Sequence, residues 1–191
     1  MDMVFEPEIP RIDTIVADFV DALCDAGFAV DDEPDLGPAQ REISAFARDP
    51  GHRFTKGLGL AHPQLGGRVG LLMQPARDAG AGPDNAVLFT LSLDELTVMD
   101  SSQPYLTASA EHVIVPLCTR VAVSLPTVLI DLQHFGCDYS AWEAWASGRE
   151  PRSSLLYLAP GVAGFNPGRW RRTVRLENGG VLYLVPGWWN G

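Results

Sequence analysis

Two histidines and two cysteines in the second half of the chain have side chains that could bind a metal or act as a nucleophile. His112 and Cys118 are six residues apart, and His134 and Cys137 form a His-x-x-Cys pair. Zinc uses such ligands, but the segment between His112 and Cys118 has the composition of a strand, which would separate them by about 20 Å. They could share one ion only if Pro116 folded the chain sharply. The spacing therefore predicts no metal site.

A thiol nucleophile is the other chemistry that these residues could provide. Cys118 or Cys137 would need His134 as a base, oriented by Asp131 or Asp138. Any chain with three cysteines and four histidines contains such a set, and a buried cysteine is usually an inert small hydrophobe. We therefore expect no catalytic residue and no cofactor. Whether Cys118, Cys137 and His134 converge with His112 in space is a question for the structure.

Charge is distributed unevenly along the chain, and this is the stronger signal. The 191 residues carry a formal charge of −10, with thirteen acidic residues and three arginines in residues 1–49. Residues 148–191 reverse the balance, with two acidic residues and six arginines. Binding to nucleic acid or to anionic lipid requires clustered cations, so the overall charge disfavours both partners.

The acidic residues near the amino terminus have two interpretations. They form the solvent-facing side of a helix and its connector, kept for solubility, or they attract a protein partner with a basic surface, since complementary fields accelerate association. A calcium loop is not predicted, because the connector lacks alternating ligands and a central glycine. The predicted partner-binding residues are Asp18, Asp21, Asp25, Asp31, Asp32, Glu33 and Asp35, joined by Trp188 and Trp189, which either fold back over a core edge or act as interface anchors.

The arginines near the carboxyl terminus support an alternative. Strand alternation would put Arg169, Arg171 and Arg175 on one face of a hairpin strand. It would put Trp170, Arg172 and Val174 on the other. Because a guanidinium group binds phosphate or carboxylate in a bidentate manner, these residues could form an anion-binding pocket. The interpretation that competes with it is a solvated face whose arginines pair with acidic residues of the same molecule.

The elements that would position these residues follow from hydrophobic periodicity. A helix is predicted from Ile12 to a stop at Gly27, and a hairpin is predicted around Asn178-Gly179-Gly180, a sequence that favours a type I′ turn. The other predicted helices are Pro38–Arg48 and Tyr139–Ser147. The predicted strands are Phe54–Leu60, Arg68–Met73, Ala86–Leu93, His112–Leu117, Arg120–Leu125, Val128–Leu132, Arg171–Glu177 and Val181–Val185.

These elements predict one α+β domain over residues 1–191, in which an acidic helical arm (1–49) packs on a mostly antiparallel sheet with one inserted helix (50–191). A hydrophobic content of 46% excludes disorder.

The first six residues lack the features of a secretory signal, and an odd number of cysteines is typical of a reducing compartment, so a cytoplasmic location is predicted. The single lysine beside thirteen arginines suits a GC-rich bacterial genome.

The predicted function is an acidic protein-interaction module, an adaptor or a neutralising protein of the immunity type. The alternative is a small-molecule-binding protein or enzyme with an arginine pocket.

Overall fold

The computed structural model describes residues 1–6, 11–30, 35–99, 105–133, 139–168 and 170–186, which form an antiparallel sheet flanked by helices. In chain order the elements are β1 (Asp2–Phe5), α1 (Ile15–Asp25), β2 (Ala29–Val30), α2 (Gly37–Arg48), β3 (Lys56–His62), β4 (Gly67–Pro75), a 3₁₀ turn (Ala76–Ala79), β5 (Val87–Ser92), α3 (Glu95–Val98), α4 (Ala108–Ser124), β6 (Thr127–Gln133), α5 (Ala141–Ala146), β7 (Ser153–Leu158), β8 (Trp170–Arg175) and β9 (Val181–Pro186).

Across the sheet the strands run β2-β3-β4-β5-β1-β6-β7-β9-β8. The predicted α+β class, with two amino-terminal helices, an inserted helix and a C-terminal hairpin, is confirmed.

Helices α1, α2 and α4 cover one face of the sheet and enclose the main core. Phe5 of β1, Phe19 of α1 and Phe89 of β5 meet edge to face, with ring centroids 4.8 to 5.8 Å apart. This geometry is the preferred one for aromatic pairs. The buried residues of α1 recur at the three- and four-residue spacing on which its prediction was based: Ile15, Val16, Phe19, Val20, Ala22 and Leu23.

A smaller core lies on the opposite face of the sheet. There Val4, Leu88 and Leu156 project from central strands and pack against Ala76 of the 3₁₀ turn and Ala141 of α5. Because side chains alternate along a strand, β1 contributes Val4 to this core and its neighbours to the main one. Both faces of the central strands are therefore buried.

Residues 108–124 form helix α4, so the strands predicted over His112–Leu117 and Arg120–Leu125 are wrong. A run of β-branched residues suggested strands, but the hydroxyl of Thr107 caps a helix by accepting a hydrogen bond from the Ala110 N–H at 3.2 Å. Pro116 costs an interior helix about 3 kcal/mol. Burial of seven side chains at about 1.5 to 3 kcal/mol for each large one outweighs that cost. The buried residues of α4 are Ala110, Val113, Ile114, Leu117, Cys118, Val121 and Ala122.

Three strands that the sequence did not predict, β1, β2 and β7, complete the sheet. The two residues of β2 pair with β3 at one edge. The four residues of β1 pair with β5 on one side and with β6 on the other. Strand β7 pairs with β6 and β9. No helix among the described residues has both the length and the apolar composition needed to cross a bilayer.

The predicted hairpin is present as β8 and β9, with a different turn. The Gly179 N–H donates to the Leu176 carbonyl at 3.0 Å, and the Leu176 N–H donates to the Gly180 carbonyl at 2.9 Å. The loop therefore contains three residues, Glu177 to Gly179. Gly179 has a φ of 84°, the left-handed conformation that a three-residue hairpin loop places at its last position.

Candidate interaction surface

Three aspartates form a line along the exposed side of α1, and we call Asp18, Asp21 and Asp25 the acidic stripe. They are exposed and are spaced by three and four residues, which puts them on one helical face. Asp25 forms an ion pair with Arg120 of α4. Within the described part of the chain, the side-chain carboxylates of Asp18 and Asp21 have neither a hydrogen-bond partner nor an ion-pair partner.

The remaining residues predicted for the acidic surface lie in or beside the connector. Asp35 is exposed, and its carboxylate accepts a hydrogen bond from the Gly37 N–H at 3.0 Å just as α2 begins. The other three, Asp31, Asp32 and Glu33, lie outside the described residues. The structure therefore brings together three of the seven predicted acidic residues on one element.

Helix α1 lies between α2 and α4, and its flanks are held by polar contacts. Asp13 accepts a hydrogen bond from the Ser44 hydroxyl of α2 at 3.2 Å. On the other flank, Arg11 donates to the Ser124 carbonyl at the end of α4 at 2.6 Å. At the other end of α1, Asp25 meets Arg120 of α4, so the carboxyl end of the acidic stripe lies beside α4.

The described arginines of the last hairpin have different surroundings. Arg172 forms an ion pair with Glu111 of α4 at 2.5 Å, and Arg175 lies near Tyr183, whose pKa is raised by burial and lowered in part by that arginine. Arg171 is exposed. Arg169, like Trp188 and Trp189, lies outside the described residues.

Register shifts in β8 alter the predicted arrangement of its faces. Shifts fall on either side of Arg172, so simple alternation fails there. The ring centroid of Trp170 lies 5.5 Å from that of Tyr183 on the side of the smaller core, whereas Arg172 reaches α4 on the helical side. The prediction that Trp170 and Arg172 share a face is therefore wrong.

The histidine and the cysteine of α4 point in different directions. His112 is exposed, while Cys118 is buried beside the Met1 sulfur at 3.7 Å. Burial raises the pKa of the Cys118 thiol to about 12, which leaves it protonated and unreactive at neutral pH. Three other members of the predicted sets, His134, Cys137 and Asp138, lie outside the described residues. Within the described residues, no three His, Cys, Asp or Glu side chains are placed to hold a metal ion.

Asp131 is a buried carboxylate whose position the sequence analysis did not foresee. It is 1% exposed, and it accepts hydrogen bonds from the Ser153 hydroxyl and from the Ala141 N–H, the latter at 2.7 Å. It is paired across β1 and β6 with Asp2, which accepts a hydrogen bond from Thr90 at 2.8 Å. The sequence signal that could have indicated this burial is the presence of a charged residue inside the apolar run Val128–Leu132.

Burial raises the pKa of Asp131 to about 6, and the charge of Asp2 adds to this effect. The two hydrogen bonds and the α-ammonium group of Met1 act in the opposite direction. Asp131 also borders an open cleft of about 380 Å³ that contains Asp2, Thr90, Ser92 and Gln133. A second cleft of about 450 Å³ lies against Trp145 and Arg149.

Two further clefts meet on the outer side of α4. The described residues that line one of them, of about 400 Å³, all belong to that helix, and the other, of about 370 Å³, extends to Asp25 and to the turn after β3. Both are lined by His112 and Pro116. Compared with models of protein families, with curated proteins and with solved structures, the chain matches none.

Proposed function

We propose that this protein is an interaction module, an adaptor or a neutralising protein, that binds a protein partner with a basic surface through the acidic stripe. The observation that carries the proposal is that Asp18 and Asp21 lie one turn apart and exposed, and that their carboxylates have no intramolecular partner in the described residues. The proposal includes the cytoplasmic location that the sequence predicts.

The pairing of Asp25 with Arg120 does not oppose the proposal. The two side chains are 55% and 49% exposed, and exposed ion pairs contribute only about 0 to 1 kcal/mol. A cation of a partner can therefore replace Arg120 at little cost. Arg120 then turns to solvent, where it is well hydrated.

The test compares two double variants that change the net charge equally. Asp18→Asn with Asp21→Asn neutralises the stripe. Asp84→Asn with Glu177→Gln neutralises two exposed acids elsewhere on the surface. The probe is a fluorescent helical peptide of lysine and alanine, titrated by anisotropy at low and at physiological salt.

We expect the stripe variant to bind the peptide about five- to tenfold more weakly at low salt and to lose most of the salt dependence, because charged side chains near an interface act through screened attraction. The control variant should bind like the wild type. Equal weakening in both variants would mean that the peptide senses only net charge, and it would refute the assignment to α1.

The alternative of an anion-gripping arginine pocket stays a prediction. Arg171 and Arg175 line none of the four clefts described above. No observation in the described residues favours it over the acidic stripe.

A further inference from the structure

An exposed proline, Pro116, lies on the outer side of α4. Of the seventeen residues of α4 only Glu111, His112 and Arg120 can carry a charge near neutral pH. A helix that covers a core usually has one apolar side and one polar side. Pro116 interrupts the polar side and lines two clefts, and half-buried Val115 lines one of them while it also packs, like Val123, against the main core.

Pro116 also shapes this surface chemically. Proline has no N–H, so it cannot donate to the carbonyl four residues earlier in a helix. In α4 that carbonyl belongs to His112, which borders both clefts on this side. The groove around Pro116 therefore combines apolar walls with a backbone acceptor that lacks its usual helical donor.

The acidic stripe continues into this groove. Asp25 lines the cleft that also contains Val113 and Pro116. Packed helix axes lie about 8 to 10 Å apart, and a third helix with its side chains is about 10 to 12 Å across. A helix laid between α1 and α4 would therefore contact the carboxylates on one flank and the apolar groove on the other.

We propose that α1 and α4 together dock an amphipathic, basic helix of a protein partner, whose cations face the acidic stripe and whose apolar residues enter the groove at Pro116. This inference rests on the proposed function and adds the apolar half of the recognition. A second copy of this chain is a poor occupant, because its own α1 would bring further exposed carboxylates, rather than cations, to the acidic stripe. Helices that lie in grooves are recognised through such spaced anchors.

The experiment uses two helical peptides of equal charge and of about 18 residues, close to the length of α4. One has lysine and leucine on opposite faces, and the other has alanine in place of leucine. The main variant is Pro116→Lys, which removes an interior proline and adds a repelling charge. Its matched control is Pro160→Lys, a change at another exposed proline.

A second pair, Val115→Ser and Val162→Ser, removes apolar surface at two half-buried valines, one in the groove and one elsewhere. Circular dichroism and thermal melting establish that each variant is folded. Because removal of an interior proline favours a helix, failure to fold is not expected for Pro116→Lys.

We expect the wild type to bind the leucine peptide about tenfold more tightly than the alanine peptide at physiological salt, since the apolar contribution is not screened. Pro116→Lys should remove most of that preference, and Val115→Ser part of it, with no change in the two controls. Sedimentation of the free protein should show a monomer, and a dimer lost in Pro116→Lys would overturn the proposal in favour of a second copy.

The proposal and the proposed function fail in different ways. If both peptides bind equally and depend on Asp18 and Asp21, the groove is not used and only the further inference is overturned. If neither peptide responds to the stripe variant, the proposed function fails as well.

Discussion

The Asp131→Asn substitution tests whether the core of this protein contains a carboxylate that is costly to ionise. The carboxyl group has a pKa of about 6 in the folded chain, raised from an ordinary value of 3.8 mainly by burial. A pKa difference of one unit corresponds to about 1.4 kcal/mol, so full ionisation costs the folded state about 3 kcal/mol.

The direction of the pH dependence follows from that raised pKa. Below pH 3.8 the group is protonated in both states and has no effect. As the pH rises toward 6, the unfolded chain releases the proton first, and the folded state loses stability relative to it. Above pH 6 the loss is complete and remains constant.

Asparagine resembles the neutral acid and can keep both contacts. Its carbonyl oxygen can accept from the Ala141 N–H, and its amide can donate to the Ser153 hydroxyl. Between pH 3.8 and pH 7, we expect the free energy of unfolding of the wild type to fall by about 3 kcal/mol relative to that of the Asp131→Asn variant.

Urea denaturation of both proteins at several pH values measures this shift, and the difference between the two curves cancels the titration of all other groups. With a urea slope of about 2 kcal/mol/M, the midpoints should separate by about 1.5 M over this range. A difference that stays constant with pH within about 0.5 kcal/mol would show that Asp131 ionises as readily in the folded chain as in the unfolded one.

Two further substitutions test how the C-terminal hairpin is attached. Gly180→Ala would place a Cβ atom 2.6 Å from the Tyr157 ring, so we expect the folded state to lose about 1 to 3 kcal/mol of stability. Thermal melting measures this loss. Gly57→Ala, whose Cβ would lie 3.9 Å from the nearest atom, is the control. Asn178→Ala would remove donations to the Ala122 carbonyl at 2.7 Å and to the Tyr157 hydroxyl at 3.0 Å; a loss of about 1 to 3 kcal/mol is expected from chemical denaturation, and a loss below about 0.5 kcal/mol would show that these bonds add nothing net.

Local sequence signals predicted those elements whose exposed and buried sides differ. Helix α1 has aspartates on one side and Phe19 and Leu23 on the other, and its position follows directly. Strand β1 was missed because four residues give too short a pattern, and it is stabilised by distant partners on β5 and β6. The environment of Asp131 was missed for the same reason, because its hydrogen-bond donors come from α5, ten residues away, and from β7, twenty-two residues away.

Helix α4 was assigned to strands, and the reason connects the fold to the proposed recognition. Helical periodicity is clearest when polar residues fill the outer side, and in α4 that side is interrupted by Val115, Pro116 and Val123. The two valines are half-buried and pack against the main core, whereas Pro116 is exposed. These interruptions explain the wrong assignment, and Pro116 is also the residue that lines the two clefts near the acidic stripe. A partner that covers Pro116 would bury the apolar side chain that this helix exposes to solvent.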